Sequence, residues 1–200
     1  MALASGRGSD FASIANACAD GTINARIAAL ITDNPTAGAI AKAVDFGIDA
    51  IVLDYSKFPS RAEYEKELLS ALELARPELI VLAGYMRIIR SHEIFSMYKG
   101  KIINIHPSLL PKYPGAHAQK DAFDAGEKVS GYTIHFVNES LDGGPAIFQE
   151  KVDISHCQSA DEAAAAILER EHMGLPKVVG MFADGKVALV GKEVKLSRTD

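Results

Sequence analysis

Two short segments, Glu78-Leu79-Ile80-Val81-Leu82-Ala83 and Lys101-Ile102-Ile103-Asn104-Ile105-His106, constrain the fold of this chain more than any others. Each carries apolar β-branched or leucine side chains on both faces of a strand, so each needs cover on both sides. Further β-rich runs near 2–5, 25–31 and 48–53 alternate with helical stretches. Strands of this kind separated by helices predict a single doubly wound α/β domain, its mainly parallel sheet covered by helices on both faces. The helix after Phe58 opens with Ser60-Arg61-Ala62-Glu63, the pattern of a capping box, and Pro77 closes it. Beyond residue 126 the pattern changes. Residues 128–138 and 145–152 read as longer strands joined by a glycine-bearing loop, an antiparallel C-terminal addition to the sheet. Residues 159–181 read as a helix kinked at Pro176, and 186–196 as a small hairpin around Gly191.

The second of these segments also carries chemistry. Alternation along a strand puts Asn104 and His106 on one face and Ile103 and Ile105 on the other. Two polar side chains at the end of a buried strand are costly unless paired. Pro107, Pro111 and Pro114 stiffen the loop that follows. An amide donor beside a titratable imidazole is what acyl transfer requires: one group to hold a developing oxyanion, another to move a proton. Composition narrows the alternatives. Among 200 residues, 48% are hydrophobic and 24% charged, as in ordinary globular proteins, and the net charge of −5 argues against a nucleic-acid partner. Cys18 and Cys157 are too few for a disulfide framework and lack the paired spacing of a zinc site. No apolar run is long enough to span a membrane, so a cytoplasmic protein acting on small molecules is expected.

Three further motifs fit this picture. Ser5-Gly6-Arg7-Gly8-Ser9-Asp10 follows a strand and precedes a helix, where backbone amides freed by glycine bind phosphate. It lacks the third glycine of a dinucleotide fingerprint, since Phe11 stands there, and an ordinary turn with Ser9 as N-cap is the plain alternative. Leu82-Ala83-Gly84-Tyr85-Met86-Arg87-Ile88-Ile89 ends a strand, and in open α/β sheets ligands bind beyond such ends. Asn138-Glu139-Ser140-Leu141-Asp142-Gly143-Gly144-Pro145 would pass for a turn, yet Asp142 could orient the His106 ring. His135 alternates with apolar neighbours and reads as a hydrogen-bonded core residue rather than a catalyst, while His92, His117 and His156 read as surface or loop residues. No metal-binding spacing is present.

Taken together, Ser-Gly-x-Gly-Ser at the start, Leu-Ala-Gly-Tyr-Met-Arg at 82–87, Asn-Ile-His-Pro-Ser-Leu-Leu-Pro at 104–111, Gly115-x-His117 and Leu-Asp-Gly-Gly-Pro at 141–145 resemble the folate-dependent phosphoribosylglycinamide formyltransferases. The resemblance covers nearly the whole chain. It implies the formyltransferase fold, with a phosphate-binding half over about 1–100 and a catalytic and folate-binding half over about 101–200. It implies formyl transfer from 10-formyltetrahydrofolate, as co-substrate, to glycinamide ribonucleotide without a metal, by a monomer or homodimer. It implies that Asn104, His106 and Asp142 are catalytic, and that Gly8, Ser9, Asp10 and Glu171 bind the ribonucleotide. Arg61, Met86, Arg87, Ile88, Ile89, Asn104, Asn138, Glu139, Ser140 and Leu141 would then bind the folate, and the Leu110–Pro111 peptide would be cis. A formyltetrahydrofolate hydrolase, or another formyltransferase of this fold such as the methionyl-tRNA enzyme, is the alternative. The chain departs from the family at Asp10, where relatives usually have Asn, and in a first strand that reads as short. A carboxylate at position 10 is expected to weaken binding of the phosphate.

Overall fold

A computed structural model describes residues 1–197. Its strands follow the order β3-β2-β1-β4-β5-β6-β7, with a separate two-stranded hairpin, β8-β9. These are β1 (Ala2–Leu3), β2 (Leu30–Thr32), β3 (Ala50–Val52), β4 (Ile80–Leu82), β5 (Ile102–His106), β6 (Val129–Phe136), β7 (Ala146–Asp153), β8 (Val187–Val190) and β9 (Glu193–Leu196). The expected fold class is the one found: parallel pairing among β1 to β4, antiparallel pairing of β6 with β7, and the hairpin around Gly191. The chain divides into two compact units, one of residues Met1–Ile103 and one from Asn104 onward.

In the N-terminal unit the strands are shorter than the apolar runs that contain them. The 25–31 run is the clearest case, because only Leu30–Thr32 is strand. The ladder sets the length: two-residue β1 pairs Ala2 with Leu30 and Leu3 with Ile31, while Ala25 turns back onto the Ile23 carbonyl. Helix α1 (Ser9–Ala19) follows β1 and contacts α2 (Gly38–Asp45). Helix α3 (Arg61–Ala75) starts as expected, with the Ser60 hydroxyl accepting from the Glu63 N–H at 3.2 Å. It ends at Arg76, which takes a left-handed φ of 47° just before Pro77. Tyr64, Leu68 and Leu72 recur every four residues and are all buried, the spacing of one helix face. A short helix, α4 (His92–Met97), is capped by Ser91.

In the C-terminal unit, β6 and β7 form an eight-residue antiparallel pair, interrupted by a bulge between Ile134 and His135. Helix α5 (Ala118–Asp124) contacts α6 (Ala160–Ala183), which packs on both strands. Ser159 caps α6, and the helix continues unbroken through Pro176, two residues past the expected end at Met181. Tyr132, Ile134, Phe136, Ile167, Leu175 and Val178 are its buried core, with the Phe136 and Phe182 rings meeting edge to face at 5.8 Å.

Gly131 sits where β6 and β7 pack closely. A Cβ there would lie 1.9 Å from the Glu150 carbonyl oxygen and 2.9 Å from Leu109, the third residue after His106. Backbone cannot yield as a side-chain tip can, so Gly131→Ala is expected to cost about 3 kcal/mol. Urea unfolding of the variant against the parent measures this, and a loss below about 1 kcal/mol would contradict it.

Candidate functional site

Alternation along β5 has the predicted result. Ile103 and Ile105 are buried in the core, while Asn104 and His106 share the other face. On β6, Thr133 and His135 likewise share a face and are fully buried. The His135 Nδ1 lies 2.8 Å from the Phe136 carbonyl oxygen, which can only accept, so this nitrogen carries the ring proton. The other nitrogen, Nε2, is then an acceptor, and the Asn104 side-chain amide donates to it at 3.3 Å. That bond fixes which way the amide points. Among the described residues nothing else takes the second amide N–H of Asn104. Burial pushes the His135 ring below the usual imidazole range, and Asp142 opposes this more weakly.

His106 is 4% exposed and engaged at both ring nitrogens. Its Nε2 donates to the Tyr113 carbonyl at 2.8 Å, and its Nδ1 lies 3.5 Å from Asp142 Oδ2. With Nε2 donating, a neutral ring would turn its lone pair toward the carboxylate, and one proton on that edge satisfies both groups. Asp142 Oδ2 also accepts from the Gly115 N–H at 2.8 Å, and Oδ1 lies 3.8 Å from His135 Nε2. Asp142 itself has a left-handed φ of 49°. Gly144, two residues on, passes so close to β6 that a Cβ would lie 1.7 Å from the Phe136 carbonyl oxygen. Asn104, His106, His135 and Asp142 therefore form one cluster of facing polar side chains.

Thr133 holds the loop after His106. Its hydroxyl donates to the Ser108 carbonyl at 2.7 Å and accepts from the Leu110 N–H at 3.1 Å and the Gln149 amide at 2.8 Å. Ser108 in turn donates to the Lys112 carbonyl at 2.6 Å. The Leu110–Pro111 peptide in this loop is cis, as the resemblance implies. Thr133 and Gln149 gave no sequence signal as site residues, because their contacts join distant segments. Of the remaining residues expected here, Asn138 accepts from the Ser140 N–H at 2.9 Å, and Leu141 is 56% exposed. Glu139 is exposed in the same turn, and Glu171 is buried on α6.

The N-terminal unit contains the other expected binding elements. Gly8, not Ser9, occupies the N-cap of α1, with φ 70° and no side-chain cap. A Cβ at Gly8 would lie 2.6 Å from the Ala39 Cβ, so conformation and packing both require glycine. Ser9 and Asp10 become the first two helical residues, and Asp10 is 9% exposed. No side chain of the N-cap residue lies over the first amides of α1. The turn meets the 84–91 loop through Ser5, whose N–H donates to the Gly84 carbonyl at 3.1 Å and whose hydroxyl accepts from the Met86 N–H at 2.8 Å. In that loop Met86 is 63% and Ile88 47% exposed, whereas Ile89 is buried. Arg61 is exposed at the first position of α3.

A model of the formyl transferase family matches residues 1–179. The phosphoribosylglycinamide formyltransferase of Escherichia coli is 39% identical over 94% of this chain and 89% of its own length. That of Bacillus subtilis is 39% identical over 88% of this chain and 90% of its own. Among solved structures, glycinamide ribonucleotide transformylase 1 from Symbiobacterium toebii superposes with a TM-score of 0.94 at 35% identity, covering 98% of this chain and 92% of that one.

The depressed His135 predicts a direction for stability. On acidification the unfolded chain takes up this proton before the folded protein does, so stability is lost as pH falls below about 6.5. His135→Gln should therefore flatten the fall in Tm between about pH 7.5 and 5.5. Parallel Tm curves for variant and parent would contradict the assignment.

Proposed function

Because this chain belongs to the formyl transferase family, we propose that it transfers a formyl group from 10-formyltetrahydrofolate to the amine of glycinamide ribonucleotide, the activity of purine synthesis for which its relatives are named. The observation that carries this reading is the cluster of Asn104, His106 and Asp142, in a chain matched by these enzymes over nearly its whole length.

The amine attacks the formyl carbon, and the carbonyl oxygen becomes an oxyanion; its collapse breaks the bond from that carbon to nitrogen 10 of the folate, the amine proton passes to that nitrogen, and tetrahydrofolate leaves. Asn104 stabilises the oxyanion through the amide N–H not given to His135. His106 moves a proton or places positive charge near the intermediate, with Asp142 holding the ring. Both ring nitrogens are engaged by protein groups, so His106 reaches the substrate only by exchanging one of them. The amides after Gly8 bind the ribose phosphate, with Ser9 and Asp10 in the first turn of α1, and Glu171 binds the glycinamide end. Arg61 and residues 86–89 of the N-terminal unit bind the folate, as do residues 138–141 of the C-terminal unit. No step calls on a metal. The proposed setting is the cytoplasm, with small molecules as the only required partners.

Purified protein given formyl donor, with and without the ribonucleotide, tests the reading. Product formed only with the acceptor supports it, and donor loss without acceptor supports the hydrolase instead. His106→Ala is expected to lower turnover about 100-fold or more, and Asp142→Asn about tenfold or more. Near-normal rates in both would overturn the assignment. Asp10 adds a test of the phosphate site, since a carboxylate near a dianion is repulsive. Asp10→Asn should lower the KM for the ribonucleotide about threefold or more, with little change for the donor; a raised value would contradict it.

A further inference from the structure

Beyond the phosphate turn and the exposed Met86 and Ile88, the N-terminal unit buries a carboxylate that the proposed mechanism does not use. Asp33 follows β2 directly, and its side chain is 2% exposed. Its Oδ2 accepts from Arg87 Nε at 2.6 Å, in an ion pair whose arginine is 44% exposed. The Arg87 guanidinium carbon stands 4.1 Å from the centroid of the Tyr55 ring. Tyr55 is itself tied to Asp33, donating its backbone N–H to the Asp33 carbonyl at 3.0 Å. One residue therefore holds both the cation and the ring beneath it. The other carboxylate oxygen, Oδ1, is buried with no hydrogen-bond partner.

A buried carboxylate with one oxygen unused is an expensive way to fill space, and an apolar side chain of similar size would cost less. What Asp33 supplies is position. The 84–91 loop is fixed near its ends through backbone amides: Met86 N–H to the Ser5 hydroxyl at 2.8 Å, and Arg90 N–H to Glu65 Oε1 at 2.8 Å. Between them, Arg87 is the side chain that anchors the loop, and its neighbours Met86 and Ile88 point to solvent. The next residue of the 33–37 turn, Asn34, donates to the Ser5 carbonyl at 3.2 Å, so Asp33 is itself braced against the phosphate turn.

We infer that Asp33 is the positioning residue of the formyl-donor loop: by binding and stacking Arg87 it fixes the loop so that Met86, Ile88 and the backbone between them form a preset face for the donor. This rests on the reading of residues 86–89 as the donor-binding loop. Asp33 touches no substrate and acts through Arg87.

Asp33→Asn keeps the shape and removes the charge. The expected result is a donor KM raised about tenfold, with kcat at saturating donor and the KM for the ribonucleotide within about twofold of the parent. Arg87→Gln should raise the donor KM similarly, and the double variant no further than the larger single effect, because the pair acts as one unit. Arg87→Gln also strands a buried carboxylate, so adding Asp33→Asn to it should raise the Tm. An active parent enzyme with an unchanged donor KM in Asp33→Asn, with both KM values rising together, or with multiplying effects in the double variant would overturn this inference alone. A parent protein that transfers no formyl group to the ribonucleotide would overturn the proposed function and this inference with it.

Discussion

The hydrogen bond from the Asn104 amide to His135 Nε2 is the contact on which the proposed chemistry depends. An amide side chain can present either its N–H groups or its oxygen, and only the N–H groups stabilise an oxyanion. Asn104 alone does not settle that choice. His135 does, because the Phe136 carbonyl takes the Nδ1 proton and leaves Nε2 able only to accept. Burial keeps the ring neutral, which preserves that acceptor. A histidine with no direct part in the proposed reaction thus determines how the proposed oxyanion donor points.

The same logic runs through both units, in which buried polar groups are satisfied by one another and position what lies near them. Asp142 takes an N–H from Gly115 while facing His106, so the 138–145 turn and the loop after β5 are held by one carboxylate. The Thr133 hydroxyl makes three bonds to Ser108, Leu110 and Gln149 and fixes the backbone that follows His106. In the N-terminal unit, Ser5 joins the glycine turn before α1 to the 84–91 loop, and Asp33 holds that loop by its arginine. Each is a single side chain spanning segments far apart in sequence. Such networks are costly when partly satisfied, which makes their members sensitive to isosteric change.

What the sequence revealed and what it hid follow from the range of the interactions involved. The strand ending at His106 was legible because alternation is local, and the α3 cap was legible because Ser60 bonds an amide three residues away. Strand lengths in the N-terminal unit were overestimated, since apolar content marks a buried segment but only the partner strand decides how much of it pairs. Ser9 was a reasonable N-cap until packing against Ala39 showed that only glycine fits the position before it. Asn104, His106 and Asp142 could be named together because motif resemblance carried information that spacing did not. Thr133, Tyr113, Gln149 and Asp33 stayed hidden, as a threonine in a strand or an aspartate after one has many ordinary uses. Their roles exist only through partners that the fold supplies.

The most direct test of this arrangement is the protonation of the His135 ring, read from its nitrogen-15 chemical shifts near neutral pH. A neutral ring protonated at Nδ1 and bare at Nε2 is the predicted result, leaving Asn104 as a donor on both of its N–H groups. A ring protonated at Nε2 would force the Asn104 amide to turn its oxygen inward, and would contradict the assignment of Asn104 as the oxyanion donor.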